Sequence, residues 1–242
     1  MRTAVFSDVH GNLVGLETFL ADAADRAVEN YVCLGDALQG GPQPRECLER
    51  LVALGCPIVL GNADAFLIDL DPAAEPATEE QLEVARWTQS ELGPDGIERI
   101  RAFQPTVRLE LGGGRTLLAT HGSPAAFDEI LLPSTLEEET RAAIADVDAD
   151  LVAGGHVHMQ WTRPIAHRIL LNPGSVGLAY DHEQENDENV RLSPHAEYAV
   201  VDSADGYLSI ELHRIRFDPA DVVSAIERSG RPSGASFARG WR

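Results

Sequence analysis

The chain has 242 residues, 44% of them hydrophobic, enough for one large domain or one and a half with a real core. Its 19 basic residues, all arginine, face 39 acidic ones for a formal charge of −20, a surface that repels long polyanions and argues against a general nucleic-acid binder. No apolar stretch approaches membrane-spanning length, the N-terminus runs straight into a strand without a signal-peptide layout, and Cys33, Cys47 and Cys56 lack Cys-x-x-Cys spacing, so a soluble cytoplasmic protein with buried thiols is expected.

In chain order, residues 3–6 form a short apolar run that stops at Ser7-Asp8-x-His10. Asn12 is placed as the N-cap of a helix, because Leu13, Leu16, Phe19, Leu20 and Ala24 follow helical spacing. Residues 31–34 make a second apolar run ending at Gly35-Asp36, and Pro44 to Leu54 reads as a helix with Cys47, Leu48, Leu51 and Val52 on its apolar side. A third run, 58–60, ends at Gly61-Asn62. The polar stretch 69–80 is long enough to border a site, and a capping box, Thr78-x-x-Gln81, opens a helix towards Leu92.

Residues 107–111 and 116–119 flank Gly112-Gly113-Gly114 as a hairpin whose second strand leads to His121. Ser134-x-x-Glu137 predicts a capping box for a helix towards Ala145, and the run 151–153 leads to His156 and His158. These two histidines are spaced so that a bent loop can aim both at one centre. The acidic stretch 181–194 is a second candidate border loop, and residues 197–202 and 207–213 flank Ala204-Asp205-Gly206 as another hairpin. Asp218-Pro219 is an N-cap with proline at the first helical position, starting a helix to about Arg228, after which 228–242 is an arginine-rich tail of linker-like composition. With no internal repeat or interdomain linker, residues 1–242 are expected to form a single domain. An alternating strand–helix beginning followed by antiparallel hairpins predicts an α/β protein with a mixed sheet, or with two sheets packed face to face and helices outside.

Seven side chains of metal-binding type thus sit at the ends of five apolar runs: Asp8, His10, Asp36, Asn62, His121, His156 and His158. Strands of this kind collect ligands beyond their carboxyl ends, so groups scattered in sequence are expected to converge in space. Taken singly, an Asp after a strand is ordinarily a turn residue or cap, Gly-Asn a turn, and a lone His structural. The coincidence of five such ends in one chain carries the metal-site reading. His167, His182, His195 and His213 match no motif and read as solvated or structural.

Asp8-x-His10, Gly35-Asp36, Gly61-Asn62-x-Asp64, His121-Gly122 and Gly155-His156-x-His158 resemble, in the same order, the motif series of the calcineurin-like metallophosphoesterase superfamily. The likeness runs from residue 7 to about residue 177, where Asn172-Pro173-Gly174-Ser175 is similar to the last turn in small bacterial phosphodiesterase-type members. The resemblance implies a four-layer α/β/β/α sandwich of two facing mixed sheets and a metal-dependent phosphoric ester hydrolase with two divalent ions, Mn, Fe or Zn. It implies that Asp8, His10 and His158 hold one metal, that Asn62, His121 and His156 hold the other, and that Asp36 bridges them. It places Asn12 and Gly122 where they can support ligands or touch substrate. In a two-metal site the cations lower the pKa of a bridging water, so in-line attack by hydroxide on phosphorus without a phosphoenzyme is expected. Activity should fall below about pH 6, where imidazoles protonate.

The chain departs from the fuller pattern at Ala63. Many members carry His there, paired with the following acidic residue, to protonate the leaving group; Asp64, the remaining candidate beside Asn62, lacks that partner. General-acid help is typically worth about 10²–10⁴-fold, which favours diesters or activated esters of a small or nucleotide-like substrate. Ala63→His should speed hydrolysis of esters with poor leaving groups relative to good ones. The loop from Gly35 to Pro42 also resembles phosphatases of the protein-phosphatase or dinucleoside-polyphosphatase type, but has no arginine before Arg45. A third reading is a non-catalytic metal-binding scaffold. No membrane partner is expected, and the sequence leaves oligomeric state, metal identity and natural substrate open.

Overall fold

A computed structural model describes residues 1–70, 77–180, 191–204 and 207–241. Residues 71–76 of the 69–80 stretch, residues 181–190 of the second border loop, including His182, and the 205–206 hairpin turn therefore lie outside the described residues.

Among the described residues, nine strands form two sheets. The first has the order β2-β1-β8-β9, from β1 (Arg2–Phe6), β2 (Asn30–Cys33), β8 (His195–Ala204) and β9 (Tyr207–Arg216). The second has the order β3-β4-β5-β7-β6, from β3 (Val107–Gly112), β4 (Arg115–Ala119), β5 (Leu151–Ala153), β6 (Gln160–Ile165) and β7 (Arg168–Pro173). Both are mixed: β1 and β2 run parallel, as do β4, β5 and β7, while the remaining neighbours pair antiparallel.

Period-two burial explains the layering. In β1, Ala4 and Phe6 face one core and Val5 another; in β8, Tyr198 and Val200 face the first and Ala199 and Val201 the second. The shared middle core joins Val5, Val32, Ala199 and Val201 of the first sheet to Leu117, Ala119, Leu151, Ala153 and Leu171 of the second. Such strands are apolar on both faces because both faces are covered. Outside the first sheet lie α1 (Leu13–Asp25), α2 (Pro44–Leu54), α4 (Glu79–Arg101), α6 (Pro219–Ser229) and α7 (Gly234–Arg239), contributing Phe19, Leu51, Ile100, Ile226 and Ala238. Outside the second sheet Val152, Trp161 and Leu170 pack with Ile144 and Val147, just after the short α5 (Glu137–Ala143). The fold is thus a mixed α/β sandwich of two facing sheets flanked by helices, with one outer layer much thinner than the other.

Several elements differ from expectation. Residues 58–60 form no strand: Ile58 bridges Cys33 and Val59 bridges Gln104, each as an isolated pair. The chain turns instead into α3 (Asn62–Asp69), which the sequence reading missed because its N-cap, Gly61, has no capping side chain. The Thr78–Gln81 capping box is present and the helix it opens runs to Leu92 as expected, but a further helical segment that was not foreseen follows it directly. Gly93 adopts φ 65°, ψ 179°, and Pro94 begins a second helical segment that runs to Arg101. Ser134 caps nothing in α5, whose N-cap is Leu136, and Thr135 Oγ1 instead accepts from the Leu132 N–H. Strands β6 and β7, and α7 within the supposed linker-like tail, were also unforeseen; Trp241 and Ala238 of that tail are buried in the first core.

Candidate metal centre

Because β1 and β2 are parallel, and β4, β5 and β7 likewise, their carboxyl ends open at one edge of each sheet, and the loops that follow continue to pair there. The Asp8 N–H donates to Gly35 O at 3.0 Å, His10 N–H to Asp36 O at 2.9 Å, and Gly155 N–H to His121 O at 2.6 Å. Val176 and Gly177 donate across the sandwich to Ser7 O and Asp8 O, both at 3.0 Å, closing the two sheets at that edge.

Two groups of ligand-type side chains converge. Asp8, His10 and His158 form one, and Asp36, His121 and His156 the other, each with donor atoms within 4.8 Å of one another. Asn62 joins the second group, its Oδ1 lying 3.1 Å from His121 Nε2. Asp36 Oδ2 is 3.2 Å from His121 Nε2 and 3.9 Å from His10 Nε2, so it reaches towards both. The loop carrying the last two histidines does bend, but it separates them, sending His158 to the first group and His156 to the second. Five of the seven candidate ligands, Asp8, His10, Asp36, His156 and His158, adopt positive φ, between 47° and 69°. Non-glycine residues rarely do so, and their concentration here is the mark of a backbone bent to aim side chains.

Three imidazoles are oriented by backbone carbonyls. His10 Nδ1 donates to Gln39 O at 2.8 Å, His121 Nδ1 to Leu34 O at 2.9 Å and His158 Nδ1 to Leu178 O at 2.7 Å. With the proton of the neutral ring assigned to Nδ1 by that bond, Nε2 is the nitrogen left to face inward and to ligate. The Nε2 atoms of His10 and His158 then face each other at 3.2 Å, and the buried Asp8 Oδ1, with no hydrogen-bond partner among the described residues, lies 3.2 Å from His158 Nε2. Two imidazole nitrogens and an orphaned carboxylate oxygen in one buried spot need positive charge among them, a metal ion or a proton. Imidazole nitrogen, carboxylate and amide oxygen are donors of the first-row divalent metals, so the residues present fit such ions.

Charge agrees with this geometry. Burial opposes ionisation of Asp8 and Asp36, but neighbouring imidazoles, His158 for Asp8 and His121 for Asp36, outweigh it and hold both carboxyls below their ordinary range. Conversely, burial opposes protonation of His121, and Asp36 overcomes it, lifting that imidazole to about 10. Without a metal, the carboxylates draw protons onto the histidines that would otherwise ligate it.

Neighbouring residues hold these groups. Asp36 Oδ1 accepts from the Ala63 N–H at 2.9 Å, at the N-terminus of α3. Gly61 packs against Asp36, and Gly155 against Ser7 and Asp8, so closely that a Cβ on either would collide. Asn12 caps α1 through the Gly15 N–H and donates to Gly177 O at 2.8 Å. Gly122 is another close-approach glycine, facing the backbone of Ala126 and Glu129. Asp64 lies 0% exposed and accepts from the N–H groups of Ala37 at 2.9 Å and Leu38 at 3.1 Å; its carboxyl is turned into the Asp36 loop, not towards a substrate.

The braces that sequence reasoning left unassigned are in the 172–175 turn and at Tyr180. Asn172 Nδ2 donates to Gly155 O at 2.6 Å, Ser175 Oγ donates to Asp8 O at 2.7 Å, and the Tyr180 ring stacks on His158 with centroids 4.8 Å apart. The Asn-Pro-Gly-Ser turn was the available signal for the first two; Tyr180 had none.

Known proteins repeat this arrangement of chain. The sequence model of the "Calcineurin-like phosphoesterase superfamily domain" matches residues 1–197. A Methanocaldococcus jannaschii protein, described as uncharacterized protein MJ0912, is 24% identical over 236 residues, covering 95% of this chain and 93% of that one. A metallophosphoesterase structure from Sphaerobacter thermophilus superposes with TM-score 0.73 at 24% identity, covering 99% of this chain and 98% of its own. The hypothetical protein PH1004 from Pyrococcus horikoshii OT3 gives TM-score 0.81 at 20% identity, covering 98% and 96%. Among the described residues, no helix is long and apolar enough to cross a membrane.

Proposed function

Since the chain belongs to the calcineurin-like phosphoesterase superfamily, we propose that it is a cytoplasmic phosphodiesterase that hydrolyses a small or nucleotide-like phosphoester with two divalent cations, manganese being the first to test. Asp8, His10 and His158 hold one cation, Asn62, His121 and His156 the other, and Asp36 is shared, within residues 1–242 acting as one unit. The observation that carries this reading is the pair of Nε2 atoms on His10 and His158, 3.2 Å apart beside the orphaned Asp8 Oδ1, with each ring's Nδ1 already committed to a backbone carbonyl. A cation pair there supplies activated water and neutralises charge on the phosphoryl oxygens.

The chain's own residues do the rest. Gln39, Leu34 and Leu178 fix three imidazole rings through their carbonyls, so little reorganisation accompanies binding. The N-terminus of α3 holds Asp36 in place, and Asp64 holds the backbone that carries it. Neither Ala63 nor the sealed Asp64 offers a proton to a departing oxygen, so esters with good leaving groups are favoured. The test is Mn²⁺-dependent turnover of bis(p-nitrophenyl) phosphate and p-nitrophenyl phosphate side by side. Faster diester turnover is expected. Faster monoester turnover transfers the protein to the phosphomonoesterase class, and no turnover of either in Mn²⁺, Fe²⁺ or Zn²⁺ makes it a scaffold.

A further inference from the structure

The loop between Asp36 and Pro44 contains no cation, yet one reaches it from 191 residues away. Arg231, between α6 and α7, donates from Nε to Gly40 O, and from Nη1 to Pro232 O at 2.7 Å. Its guanidinium carbon lies 4.2 Å over the Phe237 ring, and Phe237 is held edge-on by Trp241, which also meets Phe217. The head group is therefore fixed on a packed aromatic platform.

Its position relative to the metal centre follows from the same loop. Gly40 succeeds Gln39, whose carbonyl orients His10, and the open side of Gly40 faces the His10 ring, with Nδ1 the nearest atom. Gln39 and Gly40 are both half-buried, at the rim. The guanidinium is thus linked to the centre through the Gln39–Gly40 peptide and the His10 imidazole.

Its chemistry is incomplete. A guanidinium has five N–H donors in a planar fork. Arg231 uses Nε and Nη1 on carbonyls; Nη2 makes no hydrogen bond, and no carboxylate ion pair forms, among the described residues. Burial lowers its pKa to about 10, which leaves it charged at neutral pH, and Glu80 acts on it only at a distance. A half-buried arginine with no carboxylate ion pair among the described residues, and with one arm of its fork unused, suits an anion.

We propose that Arg231 is a specificity-determining residue: it binds an anionic group of the substrate next to the phosphoryl held at the metal centre, so that substrates with two neighbouring phosphates are preferred over those with one. This deepens the phosphoesterase reading and names its substrate class as diphosphate-containing esters. Mono-anionic diesters would turn over without using Arg231.

The test is calorimetric titration of adenosine 5′-diphosphate and adenosine 5′-monophosphate into the full chain in Mn²⁺, for the wild type, Arg231→Met and Arg231→Lys. The wild type should bind the diphosphate about tenfold more tightly than the monophosphate. Arg231→Met should erase that preference while leaving monophosphate affinity unchanged, and Arg231→Lys should recover only part of it, because an ammonium lacks the fork. A purely structural role would weaken both nucleotides together. Equal affinities in the wild type, or a preference that survives in Arg231→Met, overturn the proposal. If Arg231→Met proves unstable by thermal unfolding, Arg231→Lys decides by the same ratio. Turnover of bis(p-nitrophenyl) phosphate by the same preparations separates the two readings. Turnover without an arginine-dependent preference sinks the role of Arg231 alone; the preference without turnover sinks the hydrolytic reading alone.

Discussion

The two side-chain groups at the sandwich edge are held by different means. In the first, Asp8, His10 and His158 are all buried, and both imidazoles are locked by Nδ1–H bonds to Gln39 O and Leu178 O. Tyr180 stacks on one of them, and Ser175 grips the Asp8 carbonyl. In the second, His121 is equally buried and locked by Leu34 O, but His156 is half-buried and its ring makes no hydrogen bond among the described residues. A ligand set frozen before its ion arrives binds tightly and exchanges slowly, whereas one with a loose, accessible imidazole adapts. On the proposed two-cation reading, the first group is the more rigid of the two and the second the more accessible to solvent.

Asp36 joins the groups, so removing it breaks the comparison outright. Asp36→Ala should abolish tight binding at both positions, measured as metal content after dialysis, and lower phosphodiester turnover by about 10³-fold or more. Retention of one full equivalent of metal would show that the groups are independent. A smaller effect separates them: His158→Ala should weaken the tighter of two metal-binding steps by at least the 10–100-fold known for lost outer-shell partners, roughly, while His156→Ala weakens only the looser step. Calorimetric titration of Mn²⁺ into both variants distinguishes the steps.

Proton linkage sharpens the contrast further. Burial opposes protonation of both His121 and His158, yet Asp36 lifts the His121 pKa to about 10, so in the metal-free protein that imidazole holds its proton at neutral pH, and Asp8 shifts His158 in the same direction. Both folded values lie above the unfolded one of about 6.5, so their contribution to metal-free stability is complete below about pH 6.5. It is lost as pH rises through the folded values, near 10 for His121. Metal binding runs the other way: affinity should rise by about tenfold per pH unit for each proton displaced between pH 7 and 9. Titrations in buffers of different ionisation enthalpy count the protons, and a pH-independent affinity would contradict this electrostatic account.

The smallest expected effect concerns Asp64. Burial raises its carboxyl to about 7, with Asp36 adding to the shift, while it accepts two backbone N–H groups. An acid whose folded pKa is raised makes stability fall as pH climbs from about 4 to that value. Asp64→Asn keeps one acceptor and sets an amide N–H against the second donor, at a cost of about 2 kcal/mol in urea unfolding. It should also remove that pH slope.

Much of this site was readable before any coordinates because its ingredients are local. Asp8, Asp36, His121 and His156 each follow an apolar run, and Asn12, Asp218 and the Thr78–Gln81 pair announced their caps, all of which form. Ser134 failed because Thr135 folds back on Leu132 and starts a turn instead of a helix. Residues 58–60 failed as a strand because an apolar run shows only that a segment is buried, and here only isolated bridges bury it.

What the sequence by itself determined is the inventory: which residues can ligate, that all but Asn62 follow strands, and that both faces of those strands are apolar. Tertiary structure alone decided the turning of Asp64 into the Asp36 loop, the carbonyls that orient three imidazoles, and the arrival of Arg231 at Gly40. The physical reason is that these outcomes rest on backbone carbonyls and N–H groups, at Gln39, Leu34, Leu178, Ala37 and Gly40. Every residue except proline carries the same pair, so no letter of the sequence marks which will be used.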